Sequence, residues 1–232
     1  MAGRSQRFFD AGYSEPKYKL PLGDETLFAK AVKTFEKYFS TDEFLFIVRN
    51  AFGAEKFVTD CASGLGIEKF SLSILESDTG GQAESVYLGL IKKVSDEPLF
   101  IFNIDTIRSQ YVKPTFLDSC DGYLEVFIGS GDHWSFVEPN GSRNVARTSE
   151  KVRISNLCSD GLYYFKSSLL FIEAFLDAKN NSLKSNGEFY IAPLYNYLIK
   201  GNKTIHYDLI DSKDLVFCGT PQEYEQALLT CC

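Results

Sequence analysis

Met1–Leu22 reads MAGRSQRFFDAGYSEPKYKLPL. The stretch opens on small and polar residues (Ala2, Gly3, Ser5), carries Arg4 and Arg7, and reaches Pro16-Lys17 just before the short apolar Leu20-Pro21-Leu22. Side chains this small let backbone N–H groups approach a phosphate closely, and a helix beginning nearby adds its positive end at the same place. Arg7 and Lys17 are then the cations expected at the outer phosphates. A Gly-Arg-Ser run standing alone is most often a polar segment with ordinary surface cations, so its reading depends on the rest of the chain.

Beyond the opening, Asp24 is positioned to cap a helix from about 25 to 39, with Phe28, Val32, Phe35 and Phe39 at helical spacing. Phe44-Leu45-Phe46-Ile47-Val48 is a continuous apolar run and reads as a buried strand. Next come a helix over about 54–62 ending at Gly64, a strand over 69–75 and a helix over 82–90. Leu99-Phe100-Ile101-Phe102 is the next buried strand and leads into Asn103-Ile104-Asp105. Strands and helices alternating at this spacing predict βαβ units, a Rossmann-like, mainly parallel mixed sheet flanked by helices, and a ligand crevice beyond the strand ends.

The second half reads differently. Short strands are expected at 123–127, 135–138, 145–147 and 162–165, with Pro139-Asn140-Gly141-Ser142 as a turn between two of them. Helices are expected at about 169–178 and 190–199, a strand near 204–209, and a short helix after Pro221. The later strands are expected to form a platform over the pocket of the first half. The chain thus reads as one α/β domain spanning 1–232, with a nucleotide-binding half to about 110 and an acceptor-binding half from 111 onward.

The composition removes several function classes. The 232 residues include 20 Phe and 13 Tyr and are 44% hydrophobic, enough for a large aromatic core but with no run approaching a membrane span. The opening has no apolar signal core, so a cytoplasmic protein without membrane insertion is expected. The net charge of −7, from 31 acidic against 24 basic residues, argues against a nucleic-acid partner. Six cysteines show no C-x-x-C or zinc spacing and are expected as reduced thiols. His133 and His206 are the only histidines, and no Ser or Cys nucleophile pattern accompanies them, which argues against a triad hydrolase. Asp105 is the most informative acid: a carboxylate directly after an apolar strand stands at the ligand edge of a sheet, where it can hold Mg²⁺ against triphosphate oxygens.

Several segments together resemble the sugar-1-phosphate nucleotidyltransferases, or nucleotide-sugar pyrophosphorylases, of GT-A-like fold, and most of all members associated with capsule and surface-polysaccharide synthesis. The segments are Met1-Ala2-Gly3, Arg7-Phe8, Ala11-Gly12-Tyr13, Pro16-Lys17 and Leu20-Pro21-Leu22; Thr79-Gly80-Gly81-Gln82-Ala83; Asn103-Ile104-Asp105; Trp134-Ser135-Phe136, Glu150-Lys151 and Gly161-Leu162-Tyr163; and Glu188–Pro193 and Gly219-Thr220-Pro221. Ser5 stands where that family has a second glycine, Gln6 where it has Ser or Thr, and Phe217 where many members carry a second metal-binding Asp. The family also has an apolar strand ahead of the position of Met1, so either the start lies upstream or that strand is missing.

The resemblance implies transfer of a nucleoside monophosphate from an NTP (CTP, UTP or dTTP) to a phosphorylated sugar or similar small acceptor, with Mg²⁺ as cofactor and pyrophosphate released. It places Ala2, Gly3, Arg7, Gly81, Gln82 and Asn103 on the nucleotide, and Trp134, Glu150, Lys151 and Gly161 on the acceptor. Arg7, Lys17 and Asp105 are the catalytic set, with Asp105 on the metal beside an unidentified partner such as water or Asp208. A homo-oligomer is compatible with it. Two rivals remain open at this point: a GT-A glycosyltransferase using a nucleotide-sugar donor, for which the D-x-D position would carry Asn103 in place of its first acid, and a non-catalytic nucleotide-sugar binding protein.

Overall fold

The computed structural model describes residues 3–91, 93 and 95–230. In chain order its elements are α1 (Gln6–Asp10), β1 (Pro21–Leu22), β2 (Glu25–Thr26), α2 (Leu27–Lys33), β3 (Phe44–Arg49), α3 (Ala54–Gly64), β4 (Phe70–Leu75), α4 (Gln82–Leu90), β5 (Leu99–Ile101), β6 (Thr106–Arg108), β7 (Gly122–Ile128), β8 (Ser135–Asn140), β9 (Asn144–Glu150), β10 (Leu157–Phe165), α5 (Ser168–Asn180), α6 (Tyr195–Lys200), β11 (Ile205–Leu209), β12 (Leu215–Phe217) and α7 (Pro221–Thr230). None of the described helices is long and apolar enough to cross a membrane. The chain forms two compact units: the first from 3–78, 103–112 and 213–230, the second from the described residues of 79–102 and 113–212.

In the first unit β3 and β4 pair in parallel from Phe44↔Phe70 to Arg49↔Leu75, with α3 as the connecting helix. That is the βαβ unit expected from the apolar runs. Its core joins Phe28 and Val32 of α2, Phe46 and Val48 of β3, and Val58 and Ala62 of α3. A second cluster gathers Phe8, Leu20, Leu22 and Leu27 with Cys218, Tyr224 and Ala227. The expected helix over 25–39 is shorter. Gly23 takes a positive φ of 67°, the chain turns back so that Pro21–Leu22 pairs with Glu25–Thr26, and residues 25–26 are consumed as strand. Thr26, not Asp24, caps α2 by accepting from the Ala29 N–H at 3.2 Å. At the far end the Thr34 hydroxyl is committed to the Arg108 N–H at 3.1 Å, and the chain continues as a 3₁₀ turn over Glu36–Tyr38.

In the second unit the strand order is β5-β10-β7-β11-β9-β8, and an additional β10–β8 pairing closes β10, β7, β11, β9 and β8 into a small barrel. Parallel pairing is confined to β7 with β11 here and β3 with β4 in the first unit; the other described strand pairs are antiparallel. A mainly parallel sheet is therefore not what the described strand pairs form. The physical reason lies in the connections: β8 and β9 are joined by a tight turn around Gly141 (φ 82°), and such short links allow only antiparallel neighbours. The helix expected over 190–199 splits into a 3₁₀ turn at Ala192–Leu194 and α6, with Pro193 in the first turn. Tyr195 of α6 is fully buried, stacks on Phe165 at 4.6 Å, and donates its hydroxyl to the carbonyls of Tyr164 (2.8 Å) and Tyr123 (3.0 Å).

Candidate functional site

The opening segment is folded back on itself. Ser5 takes a left-handed φ of 53°, α1 starts directly after it, and the Ser5 hydroxyl accepts from the Lys17 N–H at 3.3 Å, tying the two ends of the loop together. Phe8 anchors α1 in the core against Tyr13 and Tyr224. Gly3 and Arg7 stay exposed, and Ala2 lies outside the described residues. Gly3, Arg4, Pro16, Tyr18, Arg49, Ala51 and Phe52 bound a small concavity beneath this loop. Arg4 and Arg49 both pair with Asp78, and the Arg4 hydrogen bond holds that carboxyl below its usual value.

Lys17 begins a 3₁₀ turn and reaches Asp105, donating to its Oδ2. Asp105 sits in the turn just before β6 rather than directly at the end of β5, with Asn103 two residues ahead, and its carbonyl accepts from the Cys218 N–H at 2.8 Å. Burial pushes the Asp105 carboxyl up; the Lys17 ammonium outweighs that, and the group titrates below the ordinary carboxylate range. Phe217 ends β12 opposite Thr106, the residue after Asp105. Asp208 lies on β11 of the second unit, opposite Glu125. Among the described residues no three His, Cys, Asp or Glu side chains converge as a metal site. The Asp105 carboxylate is itself a hard oxygen ligand of the kind Mg²⁺ takes, although Lys17 already occupies its Oδ2.

In the second unit Gly80–Ala83 is laced to Phe189: the Phe189 N–H donates to the Gly80 carbonyl at 2.7 Å and the Ala83 N–H to the Phe189 carbonyl at 3.0 Å. Gly81 has φ 130°, and a Cβ there would lie 2.5 Å from the Phe189 carbonyl oxygen, so only glycine fits. Gln82 is the first residue of α4.

Glu150 ends β9 opposite Ser135 and is 8% exposed, with the Ser135 hydroxyl donating to its Oε2. Burial raises its pKa, which the Ser135 hydrogen bond and the Lys151 charge only partly counter. Lys151, at φ 55°, donates to the Tyr190 hydroxyl and lies over that ring, while Trp134 donates to the Ser130 carbonyl at 2.9 Å. Gly161 (φ 96°) sits where the β10–β7 register shifts, its N–H donating to the Ser159 hydroxyl at 3.2 Å. Beside it Tyr163 is buried, with Ser159 and Ser135 as hydrogen-bond partners, and its pKa is pushed up to about 12.

Sequence reasoning thus named Lys17, Asp105, Glu150 and Lys151, quoted Ser135 and Tyr190 within motifs without pairing them to Glu150 and Lys151, noted Arg4 without a role, and did not single out Arg49 or Asp78. It also passed over Glu223. That residue was visible as the fourth member of Thr220-Pro221-Gln222-Glu223, a capping-box pattern. The Thr220 N–H donates to Glu223 Oε2 at 2.9 Å and the Glu223 N–H to Thr220 Oγ1 at 3.2 Å.

No family model matches the chain, and neither does any curated protein. Solved structures do. A nucleoside-diphosphate-sugar pyrophosphorylase from Vibrio cholerae RC9 is 45% identical with a TM-score of 0.95, covering 99% of this chain and 98% of that one. A UDP-glucose pyrophosphorylase in complex with UDP-glucose is 16% identical (TM-score 0.75; 98% and 94% covered), and an inositol-1-phosphate CTP transferase from T. maritima is 14% identical (TM-score 0.72; 97% and 91% covered). The last two likenesses are of fold alone.

Proposed function

The chain belongs to the nucleotide-sugar pyrophosphorylases, the sugar-phosphate nucleotidyltransferases, and from that premise we propose that it transfers a nucleoside monophosphate from CTP, UTP or dTTP to a phosphorylated sugar or similar small acceptor. An oxygen of the acceptor phosphate attacks the α-phosphorus, the bond to the β-phosphate breaks, and pyrophosphate leaves. No protein nucleophile is needed, so the chain's work is positioning and charge neutralisation. Bound Mg²⁺ supplies neutralisation of the triphosphate oxygens. Asp105 holds it, and Lys17 stabilises the charge that develops in the transition state. The Gly3 backbone and Arg7 take the outer phosphates, and Gly81, Gln82 and Asn103 the nucleoside. Trp134, Glu150, Lys151 and Gly161 receive the acceptor, with Glu150 on sugar hydroxyls and Lys151 toward its phosphate.

We read 1–232 as one nucleotidyltransferase domain whose β3-α3-β4 unit is the Rossmann-like part, acting in the cytoplasm in precursor synthesis for capsule or surface polysaccharide. The observation that carries the reading is the meeting of Lys17 and Asp105, 88 residues apart, in a chain of this family. The test is a coupled pyrophosphate assay over NTPs and sugar 1-phosphates with Mg²⁺. Pyrophosphate released only when both substrates are present supports it. No pyrophosphate with any acceptor, together with sugar transfer from a nucleotide sugar, overturns it in favour of a glycosyltransferase.

A further inference from the structure

A hard divalent cation needs several oxygen ligands, and one carboxylate already neutralised by a lysine supplies little. Position 217, where the resemblance expects a second acid, carries Phe. The carboxylate that does come close is on the other side of Gly219. A Cβ at Gly219 would lie 3.2 Å from Asp105 Oδ2 and 3.3 Å from Glu223 Oε2, so both oxygens flank the same point and the missing side chain leaves it open. An ammonium, that of Lys17, already stands on Asp105 Oδ2. That ammonium answers one carboxylate; the second carboxylate brought to the same point adds a negative charge that a further cation would answer.

The capping box and the positive end of α7 both suit an acid at Glu223, but neither requires the acid to stand beside Asp105. The cap needs an acceptor for the Thr220 N–H, and a glutamine provides one as well as a glutamate does. A neutral side chain would cap α7 without placing a second negative charge beside Asp105.

We propose that Glu223 supplies, with Asp105, the carboxylate pair that holds the divalent cation of the nucleotide, in place of the acid absent at Phe217. The proposal rests on the metal role of Asp105 in nucleotidyl transfer. Gly219 belongs to the same device, since any side chain there fills the space the two oxygens share.

The test is Mn²⁺ binding to the full chain, read from the free-Mn²⁺ electron paramagnetic resonance signal with and without UTP, CTP or dTTP, alongside thermal midpoints. Glu223→Gln keeps the capping box and removes the charge. It should weaken Mn²⁺ binding about ten-fold or more while the midpoint falls by no more than about 4 °C, the cost of one charge lost from the start of α7. Gly219→Ala should weaken it as well. Wild-type Mn²⁺ affinity in Glu223→Gln, with binding lost in Asp105→Asn, would leave Glu223 as a helix cap and overturn the proposal alone. Wild-type affinity in Asp105→Asn would remove the metal from this strand end and overturn the proposal together with the reading it rests on.

Discussion

The two units each hold a carboxylate beside a lysine, and treat it in opposite ways. In the first unit Asp105 and Lys17, 23% and 21% exposed, face each other directly, and the pair drives the Asp105 pKa down. In the second unit Glu150 sinks to 8% exposure against the neutral hydroxyl of Ser135, its neighbour Lys151 is drawn away to Tyr190, and its pKa goes up. Environments that push two acids apart in this way sort them into different roles. A carboxylate held charged by a lysine suits the place where phosphate charge shifts during reaction. A carboxylate lodged among hydroxyls suits recognition of further hydroxyls, a contact made equally in ground and transition states.

The sharpest way to break that contrast is Asp105→Asn. Mg²⁺-dependent pyrophosphate release should fall to background, because an amide is a far weaker ligand for a hard cation; a variant that keeps its rate and Mg²⁺ dependence removes Asp105 from the metal. Next in size, Lys17→Ala should lower kcat by roughly two orders of magnitude, since a charge serving the transition state shows in turnover. Circular dichroism should show the fold intact, and an unchanged kcat would take Lys17 out of the chemistry.

Glu150→Gln should behave differently, raising the acceptor KM by about ten-fold with a much smaller change in kcat, as loss of a uniform binding contact does. Its stability effect carries a definite sign. With a folded pKa raised above the ordinary value of 4.5, wild-type Glu150 contributes most at pH below that value, and the contribution is lost as pH rises through the folded pKa. The thermal midpoint of Glu150→Gln relative to wild type should therefore improve between pH 4 and pH 7, and a flat difference would contradict the buried, raised carboxyl. The smallest effect belongs to Asp78→Asn. Its pairs with Arg4 and Arg49 are solvent-exposed, and exposed pairs of this kind contribute little, so the midpoint should move by less than about 2 °C.

What could be read in the sequence came from local pattern. The apolar runs at 44–48 and 69–75 became β3 and β4, the Gly-terminated pattern after Ala54 became α3, and the expected helix start at Gln82 matches α4. Strand direction in the second half could not be read, because an apolar run does not record which neighbour it pairs with. The overlong first helix came from reading Asp24 as a cap when Gly23-Asp24 is a hairpin turn. At the site, motif order located Lys17 and Asp105, yet their ion pair spans 88 residues and exists only once the chain is folded. Gly81 reads in the sequence as a nucleotide-pocket glycine, and a constraint that reading does not contain, the backbone of Phe189, lies more than a hundred residues away.

With β5 set on its outside as the one end strand of the sheet, the closed arrangement of β10, β7, β11, β9 and β8 has no terminal strand of its own from which to peel. A ring opens at its thinnest seam instead, and that seam is β9 with β11, where the strands share the single register pair His206↔Asn144, whereas β8 and β9 run paired from Ser135↔Glu150 to Asn140↔Asn144. Amide exchange should accordingly be fastest around 144 and 206 and slow along the Ser135–Glu150 end, so that the barrel breathes on the side of the Gly141 turn while the carboxylate at 150 keeps its place.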